Sequence, residues 1–370
     1  MLSDLKKLNT SRIITPALLV IKSNLIHNIK KMIEISGDKD RLWPHIKTHK
    51  MSDIIKLQIK YGIKKFKCST ISELKLLSSI KKIDQILLAM QLTEDKIGSY
   101  IDIQKNNPEI IYSTLIDNFK TLDLYDKICK NLDSTLNVWI DINNGMNRTG
   151  IEPNKAIDLY NKIDQNKNIN LKGFHVYDGN IRDESEIIRK EMSDENFQPV
   201  ISLLKTLNQK KSKKIDLIAG GSPTFLPHSY RKNVFLSPGT TLLWDYGYSK
   251  IWPESPFLFS GILATRVISK PKENLICFDL GHKAIAPEMK MPRAKIIGLE
   301  NAKHLSQSEE HLVIESNKSV KINVGDIFYA VPNHICPTVA KYNSAYVINH
   351  FKVEEIWKIS ARNYNYEINF

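Results

Sequence analysis

Short apolar runs alternate with longer amphipathic segments between residues 40 and 240. Eight of the runs have the length and composition of buried strands: Leu42–Ile46, Lys65–Ser69, Gln85–Met90, Ile110–Leu115, Leu136–Ile140, Leu171–Val176, Ile215–Ala219 and Val234–Leu236. Segments between them show helical spacing, as in Ile54, Leu57 and Tyr61, and Ser72 is the expected N-cap of the second helix. The pattern predicts an α/β fold, a (β/α)8 TIM barrel.

The pattern changes near residue 255. From there on, strand-like runs are separated by Gly and Pro, and no long helical pattern appears. These runs are Phe257–Lys270, Asn274–Asp279, Lys295–Gly298, His311–Glu315, Asp326–Val331, Ala345–His350 and Glu355–Ser360. We therefore expect a barrel over residues 12–250 and a C-terminal all-β domain over residues 255–370, with residues 1–11 joined to the latter.

Composition is that of a soluble globular protein, with 42% apolar and 25% charged residues in 370. No apolar stretch approaches the roughly 18 residues of a membrane span, and the N-terminus lacks an apolar signal core. A cytoplasmic protein without membrane contact is the expectation. The four cysteines form no CxxC pair, so the sequence indicates neither a disulfide framework nor a zinc finger.

The net charge is +13, but the lysines are spread over the whole chain. The one dense basic run, residues 210–214, is expected to be a solvated loop. Since no nucleic-acid-binding motif accompanies the charge, we expect no nucleic-acid partner. A basic surface favours anionic small molecules and a phosphorylated cofactor.

The most informative segment is Pro44-His45-Ile46-Lys47-Thr48-His49-Lys50, at the end of the first predicted strand. Burial and neighbouring cations favour the neutral form of a lysine, and a neutral amine condenses with aldehydes. Lys47 is the candidate for this chemistry, and Lys50 competes with it. The alternative for such a cluster is a solvated basic turn.

Polar and Gly-rich residues follow each predicted strand, at the end where barrel enzymes place their active sites. After the last two strands come Gly221 and Ser222, and then Gly239 and Thr240. Exposed backbone N–H groups and hydroxyls in such loops suit a phosphate, although two ordinary turns would look similar. A strand-end lysine together with a phosphate site indicates pyridoxal 5′-phosphate (PLP).

A second unusual segment is Pro332-Asn333-His334-Ile335-Cys336-Pro337-Thr338. An imidazole and a thiolate two residues apart can face one ion, and two protein ligands leave positions open for catalysis. The soft thiolate favours zinc over manganese or magnesium. The alternative is a surface His beside a buried Cys. His282 could also reach such a site and is left unassigned.

Six segments together resemble one family: Thr15–Val20, Pro44–Lys50, Asp141 with 145–150 (Gly-Met-Asn-Arg-Thr-Gly), Gly220–Thr224, Pro238–Thr240 and Pro332–Thr338. In this order, from about residue 12 to about residue 350, they are similar to the D-threonine aldolase / D-serine dehydratase family of alanine-racemase-like PLP enzymes. The resemblance implies alanine-racemase-type barrel topology and a homodimer. It also implies a role for each matched residue.

Lys47 would bind the cofactor covalently, and Arg148 would lie near its ring or the substrate. Tyr177, with His175, would flank the pyridine ring. The phosphate would be held by Gly221, Ser222, Gly239 and Thr240. His334 and Cys336 would bind a divalent metal beside the substrate's β-hydroxyl.

The resemblance implies a PLP- and metal-dependent lyase acting on D-3-hydroxy amino acids. Aldol cleavage to glycine and an aldehyde, and dehydration to a keto acid and ammonia, both remain open. The thiol ligand resembles the zinc-dependent dehydratase pattern, since aldolase members can carry a harder oxygen ligand there. The alternatives are a metal-independent amino-acid racemase of the same fold, a non-catalytic PLP carrier and a nucleic-acid-binding protein.

Overall fold

The computed structural model describes residues 2–210 and 215–364, so residues 211–214 of the basic run lie outside the described residues. The strands, in chain order, are β1 Ala17–Ile21, β2 Lys65–Cys68, β3 Gln85–Gln91, β4 Ile111–Ile116, β5 Leu136–Ile142, β6 Ile169–Val176, β7 Asp216–Ala219, β8 Phe235–Leu236, β9 Gly261–Ser269, β10 Leu275–Phe278, β11 Ala294–Ile296, β12 Lys303–Gln307, β13 Leu312–Glu315, β14 Ile327–Pro332, β15 Ser344–Asn349 and β16 Lys352–Lys358.

The α-helices are α1 Lys22–Ser36, α2 Ser52–Lys60, α3 Ile71–Ser78, α4 Glu94–Asn106, α5 Phe119–Asn131, α6 Ala156–Asp164, α7 Glu186–Lys210, α8 Phe225–Ser229, α9 Tyr246–Ile251 and α10 Ile335–Val339. The chain divides into two compact units. The barrel unit comprises Met32–Lys47, Ile55–Gly239 and Asn363–Phe370, and the sheet unit comprises Met1–Lys31, Thr48–Ile54 and Thr240–Arg362.

The barrel unit is built on seven parallel strands in the order β2 to β8. Residues 42–45 pair with both edges of this sheet, through bridges Leu42–Leu236 and His45–Lys67. The Trp43 N–H donates to the Leu236 carbonyl at 2.8 Å, and the Lys67 N–H donates to the Pro44 carbonyl at 3.0 Å. The ring is therefore closed, and the (β/α)8 prediction is confirmed. Its first predicted strand is a bridging segment that ends in a 3-10 turn, Ile46–Thr48.

The second predicted helix begins earlier than expected. Its N-cap is Thr70, whose side chain accepts from the Glu73 N–H at 3.1 Å, while Glu73 accepts from the Ser69 N–H at 2.7 Å. The expectation of Ser72 as the cap is wrong. Thr70 and Glu73 stand three residues apart, so they satisfy donors at the helix start reciprocally, as in a capping box.

The barrel interior is filled by large apolar side chains from several strands. The central cluster consists of Trp43, Leu87, Leu115, Trp139 and Ile218, each at most 2% exposed. The Trp43 ring meets Trp139 edge-on at 6.0 Å between centroids and Phe235 at 6.3 Å. The closing segment is thus held by side-chain packing as well as by backbone bonds.

The sheet unit contains nine strands, mostly antiparallel. Their main order is β12-β13-β10-β9-β1-β15-β16, and β14 pairs with both β9 and β11. β1 lies at the centre, parallel to β15 and antiparallel to β9. Residues 17–21 thus join the sheet although the hydrophobic pattern assigned residues 12–250 to the barrel. The predicted domain bounds stay a prediction.

The sequence pattern predicted neither β12 nor the helical form of the N-terminal segment. β12 is largely exposed and its residues are mostly polar, so it has no apolar alternation to reveal it. The N-terminal residues form a 3-10 helix, Leu2–Lys7, and pack by side chains: Leu5, Leu8 and Ile13 enter the core beside Tyr329. The Tyr329 hydroxyl donates to the Leu5 carbonyl at 3.1 Å.

No helix in the described part of the chain combines the length and apolar character needed to cross a membrane.

We expect Trp43→Ala to lower the free energy of unfolding by about 3–5 kcal/mol, because it leaves a cavity in the barrel interior. Urea unfolding followed by circular dichroism measures this. The matched control is Tyr230→Ala, since Tyr230 is 61% exposed, and its expected cost is below about 0.5 kcal/mol. Equal effects of the two substitutions would contradict the role given to Trp43.

Candidate active site

Lys47 lies in the 3-10 turn that follows the closing segment of the barrel. Its N–H donates to Nδ1 of His45 at 3.2 Å, which fixes the start of the turn. The Lys47 amine lies 5.9 Å from the centroid of the Tyr177 ring. The structure thus brings two of the predicted cofactor residues together within the barrel unit.

Tyr177 follows β6 directly and has three cationic groups around its ring. Besides Lys47, these are Arg148, whose guanidinium carbon lies 4.8 Å from the ring centroid, and Lys67, whose amine lies 5.9 Å from it. An aromatic face attracts cations. Three basic side chains around one ring also favour the binding of anions.

His175 links two charged groups from other strands. Its Nδ1 lies 2.7 Å from Oδ1 of Asp141 on β5, and its Nε2 lies 2.7 Å from the Lys67 amine on β2. All three side chains are buried. Since a carboxylate only accepts, Nδ1 carries the proton and Nε2 accepts from Lys67.

The pKa values in this group are shifted. Burial opposes ionisation of Asp141, but its hydrogen bond and attraction to His175 outweigh this and keep the pKa of the carboxyl low. Burial, followed by the charge of Lys67, lowers the pKa of His175 despite Asp141. The imidazole is therefore neutral at physiological pH.

The Gly-rich loop after β7 passes close to Tyr177. Gly220 has φ +74°, and a Cβ there would lie 2.6 Å from the His228 ring. A Cβ on Gly221 would lie 2.9 Å from the Tyr177 ring. Only glycine permits this approach. The backbone N–H groups of both glycines bond within the protein, Gly220 to the Val176 carbonyl at 2.9 Å and Gly221 to the Thr224 hydroxyl at 3.3 Å. The Gly239 N–H donates to Oγ of Ser222 at 3.2 Å, so the two predicted phosphate loops touch.

The buried side chain of Asp178 holds the Gly-rich loop in place through hydrogen bonds. It is 1% exposed, and it accepts from the Thr224 hydroxyl at 2.6 Å and pairs with Nε2 of His228 at 2.7 Å. Arg231 lies 2.7 Å from Nδ1 of His228, and because arginine only donates, Nε2 of His228 carries the proton toward Asp178. Burial opposes ionisation, but His228 and then Thr224 outweigh it and lower the pKa of Asp178.

The predicted metal pair lies in the sheet unit, at the start of α10. The Cys336 sulfur lies 3.2 Å from the Thr48 hydroxyl and 3.5 Å from that of Thr240. Nδ1 of His334 lies 2.7 Å from Oε1 of Glu288. Asp245 accepts from the Ile335 N–H at 3.0 Å and holds the turn between the two residues.

The ionisation of the pair favours a thiolate. Burial opposes ionisation of Cys336, but the hydrogen bond and charge of His334, then the bonds with Thr240 and Thr48, lower the pKa of the thiol. Burial likewise opposes the charged form of His334, yet Cys336, Asp245 and Glu288 raise its pKa to about 9. A thiolate beside a carboxylate-oriented imidazole is a donor set that suits a soft divalent ion.

No group of three or more His, Cys, Asp or Glu side chains that could hold a metal occurs within residues 2–210 and 215–364. His282 lies in the sheet unit, with its N–H bonded to the Ser308 carbonyl. Lys50 adopts φ +56°, and its carbonyl accepts from the Ala361 N–H. The roles of both remain unassigned.

The predicted residues thus fall into two groups. Within the barrel unit lie Lys47, Arg148, His175, Tyr177, Gly221, Ser222 and Gly239. Within the sheet unit lie Thr240, His334 and Cys336. Sequence reasoning missed Lys67 and the supporting role of Asp178. A signal for Lys67 was present, because a lysine alternates with apolar residues inside a predicted barrel strand.

Two family models match the chain. The model described as alanine racemase, N-terminal domain, matches residues 20–247, and the model described as putative serine dehydratase domain matches residues 261–348. The first covers more than half of the chain. The protein therefore belongs to the alanine racemase N-terminal domain family, and the resemblance found in the sequence is confirmed.

Curated relatives extend over nearly the whole chain. The 3-hydroxy-D-aspartate aldolase of Paracoccus denitrificans (strain Pd 1222) is 24% identical and covers 97% of this chain and 95% of its own length. The D-threonine aldolase of an Arthrobacter species is 23% identical over 96% of this chain and 94% of its own. The family resemblance also implies PLP as the cofactor.

Solved structures show the same fold. The D-threonine aldolase from Filomicrobium marinum superimposes with a TM-score of 0.85 at 22% identity, over 95% of both chains. The D-threo-3-hydroxyaspartate dehydratase from Delftia sp. HT23 does so with a TM-score of 0.80 at 14% identity, over 96% of this chain and 99% of its own. The alanine-racemase-like barrel with an added β-sheet domain is thereby established.

We expect Asp178→Asn to destabilise the protein by about 3 kcal/mol at pH 7, because an amide cannot accept from both Thr224 and His228. The pKa of Asp178 is lowered from its ordinary 3.8 in the folded state, so the carboxylate's contribution is present above that value and is lost as pH falls through the folded pKa. The difference between wild type and variant should therefore be constant near neutrality and shrink in acid.

Urea unfolding of both proteins at a series of pH values measures this difference. The exposed Asp158→Asn serves as the control, with an expected effect below about 0.5 kcal/mol. A difference that persists undiminished below the ordinary carboxyl range would show that the charge of Asp178 is not what stabilises the loop.

Proposed function

We propose that this protein is a PLP- and divalent-metal-dependent lyase acting on D-3-hydroxy amino acids. Its curated relatives are named 3-hydroxy-D-aspartate aldolase and D-threonine aldolase, and their similarity runs over almost the entire chain. The family resemblance further implies a homodimer, and light scattering on the purified protein tests this oligomeric state. A cytoplasmic location stays the expectation from the sequence.

The barrel residues fit the cofactor. The predicted phosphate residues of the barrel unit are Gly221, Ser222 and Gly239, and a Cβ at Gly220 or Gly221 would come within 3 Å of the His228 or Tyr177 ring. The positive groups at Lys47 and Arg148 complement the cofactor's negative charge, and the Tyr177 ring offers a face to its pyridine ring. Lys47 is the residue that would hold its aldehyde carbon.

Bound PLP supplies an electron sink that stabilises negative charge at the substrate's α-carbon. Side chains of this protein would bind and orient the substrate and move its proton. Arg148 offers a fixed positive charge for an anionic group. Asp141 fixes the orientation of the neutral His175 ring through the hydrogen bond at Nδ1. The Lys47 amine, once the substrate has taken its place, is available to hold or move a proton at the α-carbon.

His334 and Cys336 would hold a divalent ion, for which the donor chemistry favours zinc over manganese and magnesium. Such an ion contributes Lewis acidity toward a hydroxyl oxygen. Glu288 orients the His334 ring through Nδ1 and leaves Nε2 as the ligand atom. Carboxylate partners of this kind fix the tautomer of a metal-binding histidine.

The single observation that carries the proposal is the position of His334 and Cys336 together at the start of α10, with Glu288 at 2.7 Å from Nδ1 of the imidazole. A racemase of this fold needs two bases and no metal, so it gives no reason for such a pair. Aldol cleavage and dehydration both use it, and they differ in the placement of the base and in the space around the β-substituent. The names of the relatives favour aldol cleavage, while the thiol ligand favours dehydration.

We expect Lys47→Ala to abolish the covalent adduct that borohydride reduction of the PLP-loaded protein produces. The reason is that this amine is the group proposed to bind the aldehyde. Peptide mass mapping locates the adduct in wild type, and Lys50→Ala is the matched control that retains it. An adduct on Lys50 or Lys67 in wild type would overturn the assignment.

We expect removal of metal by EDTA to lower the turnover rate with D-threonine and D-serine by about 100-fold or more. Added zinc or manganese should restore that rate. Cys336→Ala should behave like the EDTA-treated protein, whereas Cys277→Ala, which alters a buried thiol elsewhere, should not. The absorbance of bound PLP should stay unchanged in all of them.

The products decide between the reactions. Acetaldehyde and glycine from D-threonine identify an aldolase, and a keto acid from D-serine identifies a dehydratase. Interconversion of D- and L-alanine that does not respond to EDTA would instead support the racemase and contradict the proposed function.

A further inference from the structure

Lys67 is a charged residue inside the barrel. On β2 it faces the same side as Lys65, while Phe66 and Cys68 face the other. Its amine reaches His175 on β6, and β2 and β6 stand four positions apart in the closed ring. The hydrogen bond therefore crosses the barrel interior. A lysine is almost never this buried without a specific partner.

The hydrogen bond to His175 leaves other hydrogen-bonding positions of the Lys67 amine unused. An amine has two N–H donors and a lone pair when neutral, and three donors when charged. Within the described residues, His175 is the one hydrogen-bond partner of this amine. At 4% exposure, water can satisfy little of the remainder, and an unsatisfied buried polar group is costly.

The surroundings of Lys67 show which kind of ligand its remaining hydrogen-bond donors can bind. The amine lies 5.9 Å from the centroid of the Tyr177 ring, as the Lys47 amine does. Arg148, also over this ring, is exposed, whereas Lys67 is buried. A ligand group that meets Lys67 must itself be desolvated, which suits a resident cofactor better than a substrate that exchanges at every turnover.

The charge on Lys67 is finely balanced. Burial, followed by the charge of Lys47, lowers its pKa to about 7, with Arg148 acting in the same direction and Asp141 and Asp178 opposing it. Neutral His175 and Tyr177 complete the surroundings. Both forms of the amine are therefore populated near neutral pH, and a nearby anion favours the charged form.

We propose that Lys67 is a further cofactor-binding residue, whose amine, held by His175 and Asp141, donates to an anionic oxygen of bound PLP. This rests on the proposed function. Lys67 is then a second functional lysine beside Lys47, one that binds by charge and hydrogen bonding while the other binds covalently. His175 and Asp141 act through it as positioning residues.

The test compares PLP affinity and the pH dependence of the bound cofactor's absorbance in wild type, Lys67→Met and Lys67→Gln. Lys65→Met is the matched control: it removes a lysine from the same face of the same strand, where the amine donates to the Asp40 carbonyl. We expect Lys67→Met to bind PLP at least about tenfold more weakly, as for loss of a charge-assisted hydrogen bond. Lys65→Met should match wild type.

Lys67→Gln retains a donor for His175 but cannot titrate. It should fold even if the Met variant does not. Its bound cofactor should lack a pH-dependent change in absorbance that wild type and Lys65→Met both show, and because a bound anion favours the charged amine, that change should lie above pH 7. If Lys67→Gln binds PLP more tightly than Lys67→Met does but lacks this change in absorbance, the result would distinguish binding by Lys67 from a purely structural role.

The outcomes are distinct. If wild type binds PLP and both Lys67 variants match Lys65→Met in affinity and in the spectral titration, the inference about Lys67 is wrong and the proposed function stands. If the Lys67 variants change only the KM for substrate, the amine contacts substrate and the cofactor assignment falls. If wild type binds no PLP, the proposed function and this inference fall together.

Discussion

The barrel depends on the backbone hydrogen bonds by which residues 42–45 join β8 to β2. Without them the seven strands would be an open sheet with two unpaired edges. The same bonds fix where the chain emerges at the end of this segment, two residues before Lys47. They also fix Lys67, which donates its own N–H to the Pro44 carbonyl. The hydrogen bonds that close the barrel therefore also position both lysines.

Charge inside such a barrel has to be matched in detail, because a buried group without a partner costs more than a bonded one contributes. Asp141, His175 and Lys67 connect three strands through two hydrogen bonds. Asp178, Thr224 and His228 connect the end of β6 to the Gly-rich loop. Tyr177 stands between the two networks in the chain, so the ring and the loop that approaches it are held by neighbouring residues of one strand end.

The sequence was most informative where periodicity and glycine chemistry dominate. Alternating runs predicted the eight-membered ring, and Gly221, which follows a predicted strand, lies in a loop as expected. The sequence was less informative where local pattern and tertiary role diverge: β12 is too polar to resemble a strand, and nothing in the apolar run of β1 shows that it pairs with β9 and β15. Alternation along β2 indicates that Lys67 faces the barrel interior, but its partner His175 lies on a strand more than 100 residues away, which the local pattern does not identify.

The three cations around Tyr177 have a practical consequence for handling the protein. They attract small anions in general, phosphate and sulfate among them. Inorganic phosphate and sulfate are therefore expected to compete with the phosphate group of PLP for the proposed site, before any catalysis begins. Protein purified in phosphate buffer would take up its cofactor more slowly than protein kept in a buffer of monovalent anions.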